Sequence, residues 1–437
     1  MRAVHVGIDG GSIGVVARGL GQVRWWRGRF ARGPGVLLLS ALQLAARGGA
    51  GPPPRQALTP TVPPSPATSV SPGAPAPTGN AGSGLAGAFV MDLTWVSSAD
   101  GWALAAAPCA RGLCPRIART EDGGRSWSEL ADPPADLPGG QVDCTVRACV
   151  SGLRFASGTI GYLFGPALLM TRDGGRTWTP VPGPPVESLE PGAGDVVRVV
   201  YDHTGCPGPC HRVIEAAPAG SSDWRVLFAS LSGHGPSRAV TAQVIRAGPQ
   251  VIYVPVYGDL AAGAGSAQVA VYRSRDAGRS WDWLADPCGG RGPTARAATD
   301  LAAAPGGLCA PASGAPTRGY TVVTSNDDGN TWGPSRPVPA SARFTPDLIA
   351  AARPSDLVIT NSLIAGGGPY AYQLAVSTDG GAHWATVVND PEQIRPTAPY
   401  ASYLGFQNAS VGRWIGDPHT IWTTTDGGRH WTKQPFP

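Results

Sequence analysis

Lysine is almost missing from this 437-residue chain: Lys433 stands alone, and there are only six glutamates. Long amphipathic helices lean on Leu, Glu and Lys, so the shortage argues against a helical or doubly wound α/β fold. Charge of any sign is scarce, at 15% of residues, and it is unevenly spread. Residues 1–84 hold eight Arg against one Asp, a net +7, while 85–437 hold 26 Arg and Lys against 29 Asp and Glu, a net −3. A mildly acidic body without a basic stripe has nothing to grip a phosphate backbone, which excludes nucleic acid as the expected partner. What abounds instead is glycine, 61 residues, and proline, 45, the composition of short strands and turns.

Three zones follow one another. In residues 1–50, Arg24, Arg27, Arg29 and Arg32 precede the uncharged run GPGVLLLSALQLAA (33–46), then Arg47 and the small residues Gly48, Gly49 and Ala50. A basic flank, a short apolar run and small residues describe a secretory signal peptide. The run falls short of the roughly 20 apolar residues that span a bilayer, and an uncleaved N-terminal anchor is the alternative. Residues 51–84, rich in Pro, Ser, Thr and Ala, cannot build a core and read as a disordered spacer. Upstream, VGIDGGSIG (6–14) looks like a phosphate loop but runs straight into the basic leader, so no nucleotide fold is expected there.

Residues 85–437 contain a repeat. TEDGGRSW (120–127), TRDGGRTW (171–178), SRDAGRSW (274–281), SNDDGNTW (325–332), STDGGAHW (377–384) and TTDGGRHW (424–431) share one template. Each places Ser or Thr two residues before Asp, Gly two after it, and Trp three further on. The triplets are Asp122, Gly124 and Trp127; Asp173, Gly175 and Trp178; Asp276, Gly278 and Trp281; Asp327, Gly329 and Trp332; Asp379, Gly381 and Trp384; and Asp426, Gly428 and Trp431. Successive Asp residues lie 51, 103, 51, 52 and 47 apart. The doubled gap predicts a degenerate seventh unit near Asp223 and Trp224. Apolar runs flank each motif, which predicts a hairpin turn. Its carboxylate and hydroxyl would bond the turn's own backbone, glycine would supply the positive φ, and Trp would plug the space between adjacent strands. On this reading the aspartates are folding devices, not catalytic acids or calcium ligands. A weaker Gly-aromatic repeat precedes several motifs, in SADGWALA (98–105), SGTIGYLFG (157–165), TRGYTVVTS (317–325) and, more loosely, VGRWIGDPHTIWTT (411–424).

The template and its spacing resemble the bacterial neuraminidase repeat, or Asp-box, shared by sialidases, xyloglucan-degrading propellers, sortilin-type receptors and photosystem II assembly factors. The resemblance covers about 88–437. It implies an all-β, seven-bladed β-propeller of four-stranded antiparallel blades, with the Asp-box turn between third and fourth strands. It is nearly silent on activity, because such blades serve hydrolases and binders alike. Sialidases carry an aromatic-Arg-Ile-Pro segment, further carboxylate-clamping arginines and a Tyr–Glu pair. Here CPRIART (114–120) is the nearest approach, with Pro115 in the aromatic place and Ala118 in the proline place.

Eight cysteines, Cys109, Cys114, Cys144, Cys149, Cys206, Cys210, Cys288 and Cys309, all follow the spacer. An even count behind a signal peptide favours disulfides. Neighbour pairing would be 109–114, 144–149, 206–210 and 288–309, although eight cysteines allow 105 pairings. His203, Cys206, Cys210 and His211 in DHTGCPGPCHR offer zinc as the rival, but His211 follows Cys210 directly and the two cannot easily face one ion.

The sequence therefore leads to a secreted or cell-surface, monomeric, non-catalytic propeller with no cofactor and no metal, binding an unidentified glycan or protein. Contact loops are expected at 258–268, 366–373 and 398–406, the last two rich in tyrosine. Membrane contact is expected only through an uncleaved N-terminal segment. The alternatives are an exo-acting glycoside hydrolase of sialidase type and an extracytoplasmic assembly factor for a membrane complex.

Overall fold

The computed structural model describes residues 84–437 except 111, 140–141, 193, 202–211, 232–238, 260–265, 285–295, 298–305, 310–319, 340–344, 363–369 and 395–402. All described residues lie in one compact unit, Pro77–Pro437. The expected leader and spacer, and Cys206, Cys210, Cys288 and both histidines of the zinc alternative, lie outside them.

Every regular element described is a strand. The first sheet pairs Phe89–Trp95, Gly101–Cys109, Gly112–Thr120 and Ser128–Glu129 in chain order. The second pairs Gly152–Phe155, Gly161–Phe164, Leu168–Thr171 and Thr179–Pro180. The third pairs Val186–Pro191, Asp195–Tyr201, Arg212–Pro218 and Arg225–Leu231. In the fourth, Ala239–Ala242 and the short Ile245–Arg246 both pair Ile252–Asp259, which continues to Ser266–Ser274 and Asp282–Leu284. The sixth runs Thr345–Arg353, Asp356–Ser362, Tyr370–Ser377 and Ala385–Ile394, and the last runs Leu404–Phe406, Gly412–Asp417, Thr420–Thr424 and Thr432–Pro435.

The fifth sheet departs from the expected seven equal blades. Among the described residues it has three strands, Gly306–Cys309, Thr321–Thr324 and Arg336–Pro337. Arg296–Ala297, which precedes them, pairs in parallel with Thr345–Arg353 of the sixth sheet instead. Six sheets thus reach four strands or more, and one does not. Equal motif spacing cannot reveal this, because a two-residue strand can change partners without changing the distance between turns.

Apolar burial lies mostly between sheets. One cluster joins the first and second sheets through Trp102, Ile117, Leu153 and Leu169. Others join second to third, third to fourth, fifth to sixth and sixth to seventh. A further cluster brings Leu93 and Ala103 of the first sheet against Ile415 and Ile421 of the last, and the Val90 amide donates to the Pro418 carbonyl. The ring is closed by its two ends. The chain folds as a β-propeller of antiparallel sheets, and apart from the seam of fourth and fifth, successive sheets bury their facing surfaces against each other as sheets covered on two sides must.

Three of the four copies of the weak Gly-aromatic repeat mark the hairpin joining first and second strands, whereas TRGYTVVTS runs into Thr321–Thr324, the strand before its motif turn. An aromatic ends the first strand and lies flat over the glycine that starts the second: Trp95 over Gly101, Phe155 over Gly161, Phe406 over Gly412. A Cβ on each glycine would sit 2.3 to 2.6 Å from the ring. Ser97, Ser157 and Asn408 accept hydrogen bonds from the amides of the intervening bend.

Candidate functional site

Each complete motif sits between the last two strands of its sheet, and six turns share one set of hydrogen bonds. The Ser or Thr hydroxyl donates to the Asp Oδ1 at 2.7–2.9 Å. It accepts from the motif glycine amide at 2.7–3.0 Å. Oδ1 also accepts from the amide four residues beyond the Asp at 2.8–3.0 Å. The side chain at that same position bonds Oδ2: Ser126, Thr177, Ser280 and Thr331 through hydroxyls, His383 and His430 through Nδ1. Sequence reasoning passed over this position, although the residue before each Trp is always one that can bond the carboxylate.

These donors favour the ionised carboxylate. The Thr177 hydroxyl first, then its amide, hold Asp173 down to about 2, and Ser280 and Thr331 do the same for Asp276 and Asp327. Asp122 and Asp379 are lowered further, by the Ser126 hydroxyl and the His383 amide respectively. At Asp426 partial burial pushes upward, but the His430 amide and ring outweigh it and leave about 2.

Five of the six turn tryptophans seal seams between sheets, where the sequence suggested a plug between adjacent strands. Trp127 packs on the cluster joining last and first sheets, Trp178 on first and second, Trp281 on third and fourth, Trp384 on fifth and sixth, and Trp431 on sixth and seventh. Trp332 packs on Val323 of its own sheet. Trp224 of the degenerate unit takes the corresponding place at the second-to-third seam, with the Arg198 guanidinium 3.8 Å over its ring.

The turns also brace the inner hairpins. The amides of Gly123, Gly174, Ala277, Gly380 and Gly427 donate to Ala99, Thr159, Gln250, Ser355 and Ser410, all in bends between first and second strands or at the start of the second. Motif turns and inner hairpins therefore share one face of the disc.

On that face is a cavity of about 460 Å³. The ends of the innermost strands of five sheets line it, contributing Trp95, Phe155, Glu190, Arg246 and Tyr403 with Arg413. Glu190 Oε2 accepts from Arg154 Nε at 2.9 Å, and Arg154 Nη1 donates to Asp92 Oδ2 at 2.8 Å, so one guanidinium links three successive inner strands. Arg246 donates through Nη2 to Asp195 at 2.8 Å. Arg413 stacks 3.4 Å over Trp95 and donates to the Ser98 carbonyl at 3.0 Å. Burial lowers its pKa to about 10. Of these residues only Tyr403 falls in a loop expected from sequence to make contacts, 398–406; the others were not singled out, because only the ring brings positions 95, 190, 246 and 413 together.

The expected contact loops 258–268 and 366–373 join second to third strands and so lie at the other ends of the strands, whereas 398–406 enters the last sheet and its Tyr403 reaches the cavity. Much of each is outside the described residues. Two tyrosines expected to present themselves are instead packed: Tyr372 stands edge-on to Trp414 at 6.2 Å, and Tyr403 is buried in the closing cluster. Arg116 of CPRIART pairs with Asp132 at 2.7 Å and Glu129 at 3.4 Å. Cys109–Cys114 and Cys144–Cys149 are disulfides, and of Cys309 only the backbone is described. Among the described residues no His, Cys, Asp and Glu cluster is placed to hold a metal, and no helix is long and apolar enough to cross a membrane.

Comparison with known proteins finds several solved structures similar to this chain. YCF48 from Cyanidioschyzon merolae is similar at 15% identity and TM-score 0.46, over 78% of this chain and 95% of that one. An ulvan lyase solved with -[GlcA(1-4)Rha3S]- is similar at 13% identity and TM-score 0.48, over 77% and 92%. The β-propeller domain of the Trilobed protease from Pyrococcus furiosus matches at 10% and 0.46, over 80% and 95%. No protein-family model and no curated protein matches the sequence.

Proposed function

We propose that residues 85–437 form a secreted or cell-surface binding propeller of seven units, one of them incomplete, whose Asp-box turns are structural. The chemistry of the aspartates supports that role: both oxygens of every motif carboxylate are engaged within the turn. A group so strongly held as the anion is a poor proton carrier near neutral pH. The two short disulfides suit an oxidising, extracytoplasmic compartment.

The observation that carries the binding reading is the cavity at the inner strand ends. It is concave, walled by Trp95, Phe155 and Tyr403, and held by hairpins that the motif turns brace, which is how a rigid scaffold presents a ligand site. Its carboxylate, Glu190, is tied to Arg154 and serves the scaffold.

A second reading keeps its place because the same cavity holds Arg246, Arg413, Tyr403 and Glu190, the residue types that exo-acting sialidase chemistry requires. The full chain screened against a glycan array and a fluorogenic sialoside separates the two. Binding without turnover is expected; turnover lost in Glu190→Gln would replace the scaffold with a hydrolase.

A further inference from the structure

Residues 130–151 carry the chain from the outer strand of the first sheet to the innermost strand of the second, a step that residues 181–185 suffice to make between the second and third. The outer strand of the first sheet leaves a motif turn, so this longer link stands on the opposite face of the disc, apart from the cavity at the inner strand ends. Its ends are anchored, because Leu130, Ala135, Leu137 and Val150 pack in the cluster that joins first and second sheets. Its middle is stiffened by contacts of its own. The Asp136 amide donates to the Ala148 carbonyl at 2.8 Å, and the Asp136 carbonyl accepts from the Val150 amide at 2.9 Å. Cys144–Cys149 closes the tip, and within it Asp143 Oδ1 accepts from the amide and hydroxyl of Thr145 at 2.9 and 2.7 Å.

This stiff loop holds two features that winding the ring does not require. One is an open pocket of about 370 Å³, walled by Pro133, Pro134, Ala135 and Ala148, with the Asp136–Arg147 ion pair along one side. The other is Val146 at the tip, next to Arg147 in the chain and the most exposed of the large apolar side chains among the described residues, at 79%. The walls indicate what fits. Proline and alanine give shallow apolar surface, and the ion pair cancels its own charge. Arg147, with its side chain 48% exposed, offers the face of its guanidinium. A planar ring lies well on such a face. A sugar would call for several placed polar groups, and the lining offers one ion pair and no aromatic platform.

We infer that loop 130–151 is a docking site for a protein partner, and that its pocket receives a tyrosine or tryptophan side chain from an extended segment of that partner. Such a side chain combines an apolar body with a polar tip, which suits a pocket of apolar walls and one ion pair. A free aromatic molecule seated there would leave Val146 uncovered, whereas a segment running on past the pocket covers it. Aromatic anchors in pockets, ringed by contacts that exclude water, are where protein interfaces concentrate their energy. A disulfide-closed loop is already ordered, so little is lost to ordering when the partner arrives. The cavity of the opposite face plays no part in this, and each site can fail without the other.

The test titrates the full chain with N-acetyl-tyrosinamide, N-acetyl-leucinamide, cellobiose and an alanine pentapeptide with tyrosine at its centre, read by NMR at the Arg147 Nε–H and Val146 methyl signals. Tyrosinamide is expected to move the Arg147 signal, and leucinamide and cellobiose are not. The pentapeptide is expected to bind severalfold more tightly than the amide and to move the Val146 methyls as well. Arg147→Lys keeps a cation for Asp136 but loses the flat face, and it is expected to weaken tyrosine binding about threefold or more with Tm unchanged. Val146→Ser is expected to abolish the advantage of the pentapeptide and to leave tyrosinamide binding as it was. Should Arg147→Lys disturb the fold, Pro134→Ala, at an exposed wall position, is expected to weaken tyrosine binding in its place. No response to either tyrosine ligand, leucinamide acting as well as tyrosinamide, or cellobiose moving the same signals would overturn the inference. A pentapeptide no tighter than the amide, or an advantage that survives Val146→Ser, would overturn it too, in favour of a pocket for a small aromatic molecule. A glycan that binds the chain without touching the Arg147 signal would leave the scaffold reading intact and count against this loop alone.

Discussion

Replacing Thr171 by valine removes one hydroxyl and almost no volume, and it isolates what holds a motif turn. That hydroxyl donates to Asp173 Oδ1 at 2.8 Å and accepts from the buried Gly175 amide at 2.9 Å. Valine fills the space but leaves the amide without an acceptor in a place water does not reach, since Thr171 is 1% exposed. An orphaned buried amide costs about 1–3 kcal/mol. For a propeller of about 350 residues, an unfolding entropy near 2.1 cal/mol/K per residue turns 2 kcal/mol into a fall of about 3 °C in Tm. Scanning calorimetry on the full chain reads this. Hydrogen exchange at the Gly175 amide adds a local check, because that proton should lose protection more than its neighbours. Thr171→Ser, which keeps the hydroxyl, should stay within about 0.5 kcal/mol of the parent. Equal stabilities for Val and the parent would refute the view that this hydroxyl organises the turn.

Three further outcomes are expected. Where four motifs place Gly at the residue after Asp, the other two hold Ala277 and Asp328 at φ of +57° and +58°; Ala277→Gly should raise stability by up to about 1 kcal/mol in denaturant titration, relief of left-handed strain outweighing lost chain stiffness. Gly428→Ala should cost about 2–4 kcal/mol, because its Cβ would lie 2.7 Å from Val358 Cγ2 across a seam at φ +96°, whereas Gly112→Ala, with φ +108° and open space, should cost only the backbone strain. Acid should loosen the ring through its motif carboxylates. Asp173, Asp276, Asp327 and Asp426 fall to about 2 in the fold from about 3.9 unfolded. The unfolded state therefore binds protons first, so their contribution is complete above about pH 4 and is lost as pH falls towards 2. Asp276→Asn should flatten its share of that slope in circular-dichroism titrations between pH 4 and 2.

Much of the architecture could be read from local chemistry. The Ser/Thr-x-Asp-x-Gly-x-x-Trp spacing encodes a turn whose bonds close within eight residues, so each copy declares itself without help from the rest of the chain. The degenerate unit could be placed from the doubled gap, and Trp224 occupies the seam where a motif Trp would be. The pairs Cys109–Cys114 and Cys144–Cys149 were legible for the same reason, since partners five residues apart need only a short loop.

Ring closure, the three-stranded fifth sheet and the cavity belong to another level. The parallel pairing of Arg296–Ala297 with Thr345–Arg353 spans some fifty residues, and the seam of first and last sheets spans more than three hundred. Arg413 was quoted only inside the weak Gly-aromatic repeat, VGRWIGDPHTIWTT, with no role of its own. Only closure lays it against Trp95 and the Ser98 carbonyl and takes away its water. Turn chemistry is short-ranged, and residues alone determined it. Burial and uncompensated charge are sums over everything that surrounds a side chain, and those the tertiary structure decided.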